Sequence, residues 1–400
     1  MVKFAHLSDI HLGAWNSHPD LREYPLRAWE TAVSACITEG VDFVVIAGDF
    51  FDTSLPPIDV MRKAASGLRR LKEAGVRAYA IAGSHDFSPT GKSMLNVLED
   101  AGLLTNVAKI SENNGSVSLE FTHDPSGAKL CGIIGRRGAL EHSYFESLDR
   151  SIEKERGPKI FVFHSAVSEI NGMEGQFGIS AEMLPRDFDY YASGHVHRAH
   201  YDERTRIAFP GPLFPADFQE LENYDSGFYI VNLDSNLSAV KRVPVNLCGV
   251  SVLKIDANGK TPEQVRKEAE QAVARENLEG RILLLKIEGT IEGRLTDINL
   301  KPAIAAATGK GAVSVKKSLK VTTRDIEQTQ VRENASIEDM EREIITKNSG
   351  KMKLTWLGKE GTERLVMELM ARLQEEKQED ESEKSYAERI KSSGRKVLGI

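Results

Sequence analysis

Phe43-Val44-Val45-Ile46-Ala47-Gly48-Asp49-Phe50-Phe51-Asp52 holds the pattern that governs the first half of this chain: an apolar, largely β-branched run, then a glycine, then an acid. The same pattern recurs on either side. Val2-Lys3-Phe4-Ala5-His6-Leu7 leads into Asp9-Ile10-His11, and Val76-Arg77-Ala78-Tyr79-Ala80-Ile81-Ala82 into Gly83-Ser84-His85-Asp86. Further on, Ile160-Phe161-Val162-Phe163 leads into His164, and Tyr190-Tyr191-Ala192-Ser193 into Gly194-His195-Val196-His197. Short apolar runs bounded by turn residues read as buried strands, and open α/β sheets collect ligands at the carboxyl ends of their strands. Of the 10 histidines in the chain, His11, His85, His164, His195 and His197 fall at such ends, whereas His6, His18, His123, His142 and His200 do not. A single histidine after a strand more often caps or hydrogen-bonds than binds metal. Recurrence through one domain reverses that balance. Two divalent cations about 3.5–4 Å apart need imidazoles, carboxylates and one bridging carboxylate, and such a pair activates phosphoryl groups and water for hydrolysis.

Taken in order, Asp9-x-His11, Gly48-Asp49-Phe50-Phe51-Asp52, Gly83-Ser84-His85-Asp86, the isolated His164 and Gly194-His195-Val196-His197 resemble the calcineurin-like metallophosphoesterases. Phe209-Pro210-Gly211-Pro212-Leu213-Phe214-Pro215-Ala216-Asp217-Phe218-Gln219-Glu220, followed by Gly227-Phe228-Tyr229-Ile230-Val231, narrows the likeness. It points to the meiotic-recombination-eleven, or SbcD-like, nucleases of DNA double-strand-break repair, of archaeal kind, with motifs spanning about residues 1 to 245. The resemblance implies an α/β fold: a two-sheet metallophosphoesterase sandwich with flanking helices, a small β-α-β-α-β capping domain and a C-terminal helical segment.

The resemblance also assigns roles. One metal would be held by Asp9, His11, Asp49 and His197, the other by Asp49, Ser84, His164 and His195, with Asp49 as the bridge. His85 resembles the family's general acid, and Asp86 is expected to orient its imidazole. Two manganese ions are the implied cofactors, although iron or zinc also suits these ligand types. Two positions depart from the family's pattern. Ser84 stands where the family usually has asparagine, so the second metal would be held by a weaker neutral donor. Asp52 stands where many archaeal and eukaryotic members carry histidine, which bears on the balance of exonuclease and endonuclease action.

Composition sets outer bounds. At 400 residues and 40% hydrophobic content the chain has room for two or three cored domains. No stretch approaches the roughly 18 apolar residues of a membrane span, and the first strand runs into Asp9 with no signal-peptide pattern. Cys36, Cys131 and Cys248 are odd in number and far apart, which argues against a disulfide framework or zinc knuckle. A reduced, cytoplasmic protein, nucleoid-associated when acting on DNA, is the simplest expectation. The net charge of -7 is unusual for a protein that binds a polyanion. Local patches exist at Arg62, Lys63, Arg69, Arg70 and Lys72 on one predicted helix, and at Lys316, Lys317 and Lys320 on a predicted strand. A solvated face is the simpler reading of each, so strong DNA binding by this chain alone is not expected.

The pattern changes near residues 247, 330 and 375. The resemblance implies a nuclease domain over residues 1–247, a DNA capping domain over 248–330 and a helical ATPase-binding segment over 331–375, and the charged tail over 376–400 is expected to be disordered or only transiently helical. Helices are expected from Pro25 to Glu39 and from Pro57 to Ala74, each stopped by a glycine. Val117-Ser118-Leu119-Glu120-Phe121 suggests a hairpin strand, and Leu295 to Ala307 a helix. Beyond residue 330, Ile337, Met340 and Ile344 share one helical stripe, and Leu365, Leu369 and Leu373 another. Stripes this short need a partner surface. The resemblance names it as a coiled-coil ATPase of the SMC and ABC kind, SbcC-like, alongside DNA and a second copy of the chain as a homodimer. The competing functions are another phosphatase or cyclic-nucleotide phosphodiesterase, which leaves the later domains without a use, and a non-catalytic scaffold, which would have lost more ligands than Ser84 alone.

Overall fold

In the computed structural model the described residues are 2–323, except 89–91, 114, 137–140, 171–177, 224 and 234–238, followed by 345, 358–373, 375 and 383–398. Residues 1–323 form one compact unit and 324–400 another.

Two six-stranded sheets build the larger unit. In the first, Val2–Leu7, Phe43–Ala47, Arg77–Ile81 and Thr105–Asn106 run parallel, and Gly227–Leu233 and Ala239–Pro244 add antiparallel strands beyond Val2–Leu7. In the second, Ile207–Phe209, Tyr190–Gly194, Lys159–His164 and Lys129–Gly132 are parallel and are flanked by antiparallel His200–Asp202 and Thr122–His123. Alternation along the strands explains the layers, because successive side chains leave a strand on opposite faces. Phe43, Val45 and Ala47 point into the space between the sheets, where Phe4, Tyr79, Ile81, Ile160, Val162 and Tyr190 join them. Val44 and Ile46 point the other way, onto Trp29, Val33, Leu68 and Leu71 of the helices Glu23–Glu39 and Ile58–Glu73. The second sheet does the same with Phe161 and Phe163, which meet Phe145, Leu148 and Phe188 on its outer side. Both sheets are thus buried on both faces, as continuous apolar runs require.

Register aligns the strand ends. Leu7 pairs with Ile46, Ala47 with Ile81, and His164 with Gly194. The residues just past those ends, Asp9, Asp49, Ser84 and His195, therefore reach the same edge of the sandwich. The expected hairpin is present as Ile110–Asn113 paired with Ser116–Leu119.

Gly249–Asp256, Arg281–Ile291 and Ser314–Thr323 form a separate parallel sheet. The helices Pro262–Arg275 and Lys301–Gly309 cover one face over a core that includes Ile255, Val265, Leu283, Leu285 and Ala303. A capping box of Thr261 and Gln264 opens the first helix. The helix expected from Leu295 instead breaks in two: a single 3-10 turn at Leu295–Asp297, then a new helix from Lys301. Pro302 accounts for the break, since its ring and missing N–H fit only a first turn. Ile282 and Leu284, on the opposite face of this sheet, belong to the same buried cluster as the helices Glu23–Glu39 and Ile58–Glu73.

In the second unit the helix Gly358–Leu373 carries Leu365, Leu369 and Leu373, while the other expected stripe, Ile337 to Ile344, lies outside the described residues. The tail expected to be disordered is helical over Glu383–Leu398. Tyr386 donates to the Glu375 carbonyl at 3.0 Å and Arg389 to its carboxylate at 2.8 Å, so partners within the segment stabilise a helix that charge content alone argued against.

The helices Glu23–Glu39 and Ile58–Glu73 touch most closely where Gly67 meets the buried Trp29 ring. A Cβ at residue 67 would overlap the indole. Gly67→Ala should therefore destabilise the protein by roughly 1–3 kcal/mol, despite the gain in helix propensity, because a packed indole cannot yield. Chemical denaturation measures it, and an unchanged or higher midpoint would refute the close approach.

Candidate metal centre

Four of the converging residues have left-handed backbone: Asp9 at φ 49°, His11 at 45°, Asp49 at 49° and His195 at 84°. Non-glycine residues in this region cost on the order of 1–3 kcal/mol each. Here the strain turns the side chains inward at the strand ends. Gly83 is required for a different reason, since any Cβ there would collide with the amide and carboxylate of Asp49.

Asp49 lies at the middle. Its Oδ2 is 3.1 Å from His164 Nε2 and 3.9 Å from His11 Nε2, and its Oδ1 accepts the His85 amide at 2.8 Å. Asp9 Oδ1 accepts the His195 amide at 2.9 Å and lies 3.6 Å from His197 Nε2. His11 and His197 bring their Nε2 atoms to 3.1 Å, and the His164 and His195 rings lie 5.3 Å apart. Ser84 Oγ reaches Asp49 Oδ2 at 3.4 Å. Among the described residues, ligand atoms cluster as Asp9 with His11 and His197, as Asp9 with Asp49 and His164, and as His11 with Asp52 and His85. Of the acids and imidazoles expected to bind metal, Asp9, His11, Asp49, His164 and His197 fall in these clusters, Asp9 in two of them, while His195 falls in none.

The donors suit divalent cations. Asp9 and Asp49 are buried carboxylates, and His164 Nε2 and His11 Nδ1 are buried with no hydrogen bond of good geometry. A buried ionic group without compensation is costly, and protons take the role of cations here. Although burial opposes charge on His164, the Asp49 carboxylate outweighs it and pushes the imidazole up to about 10. Burial likewise opposes charge on His197, but its hydrogen bond to Glu220 and the charge of Asp9 raise it to about 9. Burial would raise the Asp49 carboxyl, yet His164 and His11 hold it well below its usual range. His195 is lowered, by burial first and then by neighbouring His164.

Residues behind the ligands fix their ring orientation. His164 Nδ1 donates to the Ala47 carbonyl at 2.8 Å across the two sheets, which leaves Nε2 facing the centre. His197 Nδ1 donates to Glu220 Oε1 at 2.5 Å, and His11 Nδ1 lies 3.4 Å from Asp52 Oδ1. Glu220 belongs to the short helix Phe218–Glu222, capped by Asp217. The sequence contains the acid-x-x-Glu pattern of a helix start at Asp217 and Glu220, but nothing local reveals that this Glu faces a histidine 23 residues away.

One expected role is corrected. Asp86 does not orient His85, whose Nδ1 donates to the Asp52 carbonyl at 2.8 Å. Both Asp86 oxygens are occupied by backbone: Oδ2 accepts from Gly83 at 2.9 Å and Phe50 at 3.2 Å, and Oδ1 from Phe51 at 2.9 Å. Asp86 therefore ties the Asp49 loop to the Gly83 loop. Its burial, followed by the charge of Asp49, pushes the carboxyl up to about 7.

Two predictions follow from these contacts. Asp86→Ala should cost on the order of 3 kcal/mol, since it strands buried N–H groups, whereas an imidazole-orienting role would leave stability unchanged; thermal denaturation of the metal-free protein distinguishes them. Metal binding should release protons near pH 7.5, because His164 and His197 are raised to about 10 and about 9 and must be neutral to bind a cation. Affinity should accordingly rise with pH until about 10, above which both imidazoles are neutral. Calorimetry in buffers of different ionisation enthalpy reads the release directly, and a pH-independent affinity with no proton release would overturn the assignment.

The family comparison agrees with this geometry. Residues 2–199 match the calcineurin-like phosphoesterase family. The DNA double-strand break repair protein Mre11 of Saccharolobus solfataricus is 27% identical over 266 residues, covering 64% of this chain and 67% of that protein. The Mre11 of Sulfurisphaera tokodaii is 26% identical over 279 residues, 66% of this chain and 68% of its own length, and that of Archaeoglobus fulgidus is 28% identical over 231 residues, 55% and 52%. The strand-end acids and imidazoles thus lie within a calcineurin-like phosphoesterase domain, residues 2–199, in a chain that is Mre11-like in sequence.

Proposed function

We propose that the chain is a manganese-dependent DNA nuclease that hydrolyses phosphodiester bonds at DNA ends, single strands and hairpins in double-strand-break repair. The observation that carries the reading is the buried Asp49 carboxylate, whose Oδ2 has both His164 and His11 beside it while Oδ1 is taken by the His85 amide. An anionic oxygen set between two imidazoles is a candidate bridge between two cations. Asp9, His11, Asp49 and His197 would hold one manganese, and Asp49, Ser84, His164 and His195 the other. When bound, the cations would supply Lewis-acid activation of a phosphodiester and of water.

The chain's own residues do the rest. His85 presents Nε2 to a reacting group, because Nδ1 is committed to the Asp52 carbonyl. With the Nδ1 proton so held, Nε2 is the nitrogen left to exchange a proton, and in the imidazolium form it would serve as general acid toward the leaving oxygen. Its backbone amide, on Asp49 Oδ1, fixes the acid relative to the bridge. The likeness to Mre11 proteins extends past the phosphoesterase domain, over 305 residues in the Sulfolobus acidocaldarius protein. That breadth favours DNA over a small phosphoester as substrate. The negative net charge is consistent with a coiled-coil ATPase, docked through the helices after residue 330, supplying most of the grip on DNA, and with action as a homodimer inside the cell.

Digestion of end-labelled linear DNA with manganese, with and without the ATPase, tests the activity. Two variants test the roles. Asp49→Ala should lose manganese at both positions, and His85→Ala should keep both ions while cleavage falls by about 100-fold or more. Equal loss of metal in the two variants would remove His85 from the proton-transfer role.

A further inference from the structure

The helix Phe218–Glu222 has five residues, too few to hold a position by its own hydrogen bonds. Yet it carries Glu220, the carboxylate on His197 Nδ1. Its placement must come from outside. Leu221 and Phe218 anchor it in the apolar core, Asp217 caps its first turn, and Glu220 Oε2 accepts the Ala216 amide at 2.8 Å. A further hold comes from the capping sheet. Glu222 is 2.8 Å from Lys286 Nζ and 3.1 Å from Lys254 Nζ. These lysines are directly paired across the adjacent strands Gly249–Asp256 and Arg281–Ile291, so their side chains leave the same face and converge on one carboxylate. Lys286 and Glu222 are sheltered, with side chains 11% and 22% exposed, unlike an ordinary surface pair.

We propose that Lys254 and Lys286 are positioning residues for the metal centre: by clamping Glu222 they hold the helix so that Glu220 stays on His197. The inference rests on reading His197 as a metal ligand. A carboxylate on the far nitrogen of a ligating histidine fixes ring orientation and raises its basicity. Releasing the helix at Glu222 lets Glu220 drift from Nδ1, and the ligand then loses both. Seating of the capping sheet is in this way coupled to the quality of one metal position, with no residue of the cap touching the ion. Glu220 and Glu222 are two residues apart, so a shift of one turn moves both.

The test is manganese binding by the full chain, read as free ion by electron paramagnetic resonance, which needs no catalysis. Lys254→Ala with Lys286→Ala should weaken one of two manganese positions by at least about threefold, less than the roughly 10- to 100-fold expected on losing a direct carboxylate partner, as in Glu220→Ala. Exchanging the charges, Glu222→Lys with Lys286→Glu, should recover part of the loss that Glu222→Lys alone produces. Lys316→Ala breaks different contacts of the same sheet, those with Asp20, His18 and the Trp15 ring, and should leave manganese binding unchanged. Wild-type binding by the double lysine variant, or an equal loss in Lys316→Ala, would overturn the clamp. If the double variant unfolds, Lys286→Met in an otherwise intact chain decides by the same measurement. His197→Ala separates the two levels: if it leaves manganese binding unchanged, the ligand reading itself fails; if it weakens binding while the lysine variants do not, only the clamp is lost.

Discussion

A carboxylate with almost no access to water, Asp49, is the constraint around which the sandwich is arranged. Burying such a charge is costly unless opposite charge and hydrogen bonds surround it. His164, His11 and the His85 amide supply both. They come from both sheets and reach Asp49 only because the strand ends are in register and the sheets are close enough for His164 to bond to the Ala47 carbonyl. The apolar layer of Phe4, Phe43, Val45, Ile160 and Tyr190 sets that spacing. Core and site are one structure in this sense: the packing that stabilises the sheets also fixes how far the imidazoles stand from the carboxylates.

Much of this was legible in the chain. A run such as Phe43 to Ala47 can only be a strand buried on both faces, and an acid two residues beyond it must emerge at the sheet's edge. The recurrence of that motif with histidine marked a candidate site, and the strand register brings those residues to one edge. Asp86 shows where such reading stops. Adjacency to His85 suggested a partnership, but successive residues in a turn point in different directions, and the Asp86 carboxylate went to the nearest unpaired N–H groups. Glu220 was invisible for the opposite reason. Its pattern with Asp217 marks a helix start, whereas its partner is set by tertiary packing. The helix Glu383–Leu398 escaped notice because charge-rich sequence says nothing about a neighbouring segment able to pair with it.

The surroundings of the histidines are not alike. His197 has a carboxylate hydrogen-bonded behind it, Glu220, while His164 has only the neutral Ala47 carbonyl. A carboxylate makes the imidazole a stronger donor than a carbonyl does. Ser84 adds a neutral hydroxyl on the His164 side. The two halves of the centre therefore differ in donor strength for reasons that lie behind the ligands rather than in them.

That asymmetry bears on why so much strain is tolerated. Left-handed backbone at Asp9, His11, Asp49 and His195, together with buried carboxylates, makes the centre a local liability in the metal-free chain. Protons on His164 and His197 offset part of it, and these are the charges a cation would replace. Because any ligand that binds only the folded state adds its binding free energy to stability, the strain is best tolerated where the binding is strongest. The strained turns are shared out, Asp9 and His11 beside His197 and His195 beside His164, with Asp49 between them. A cation on either side would therefore offset strain there, and the inter-sheet core that fixes Asp49 and His164 supports both.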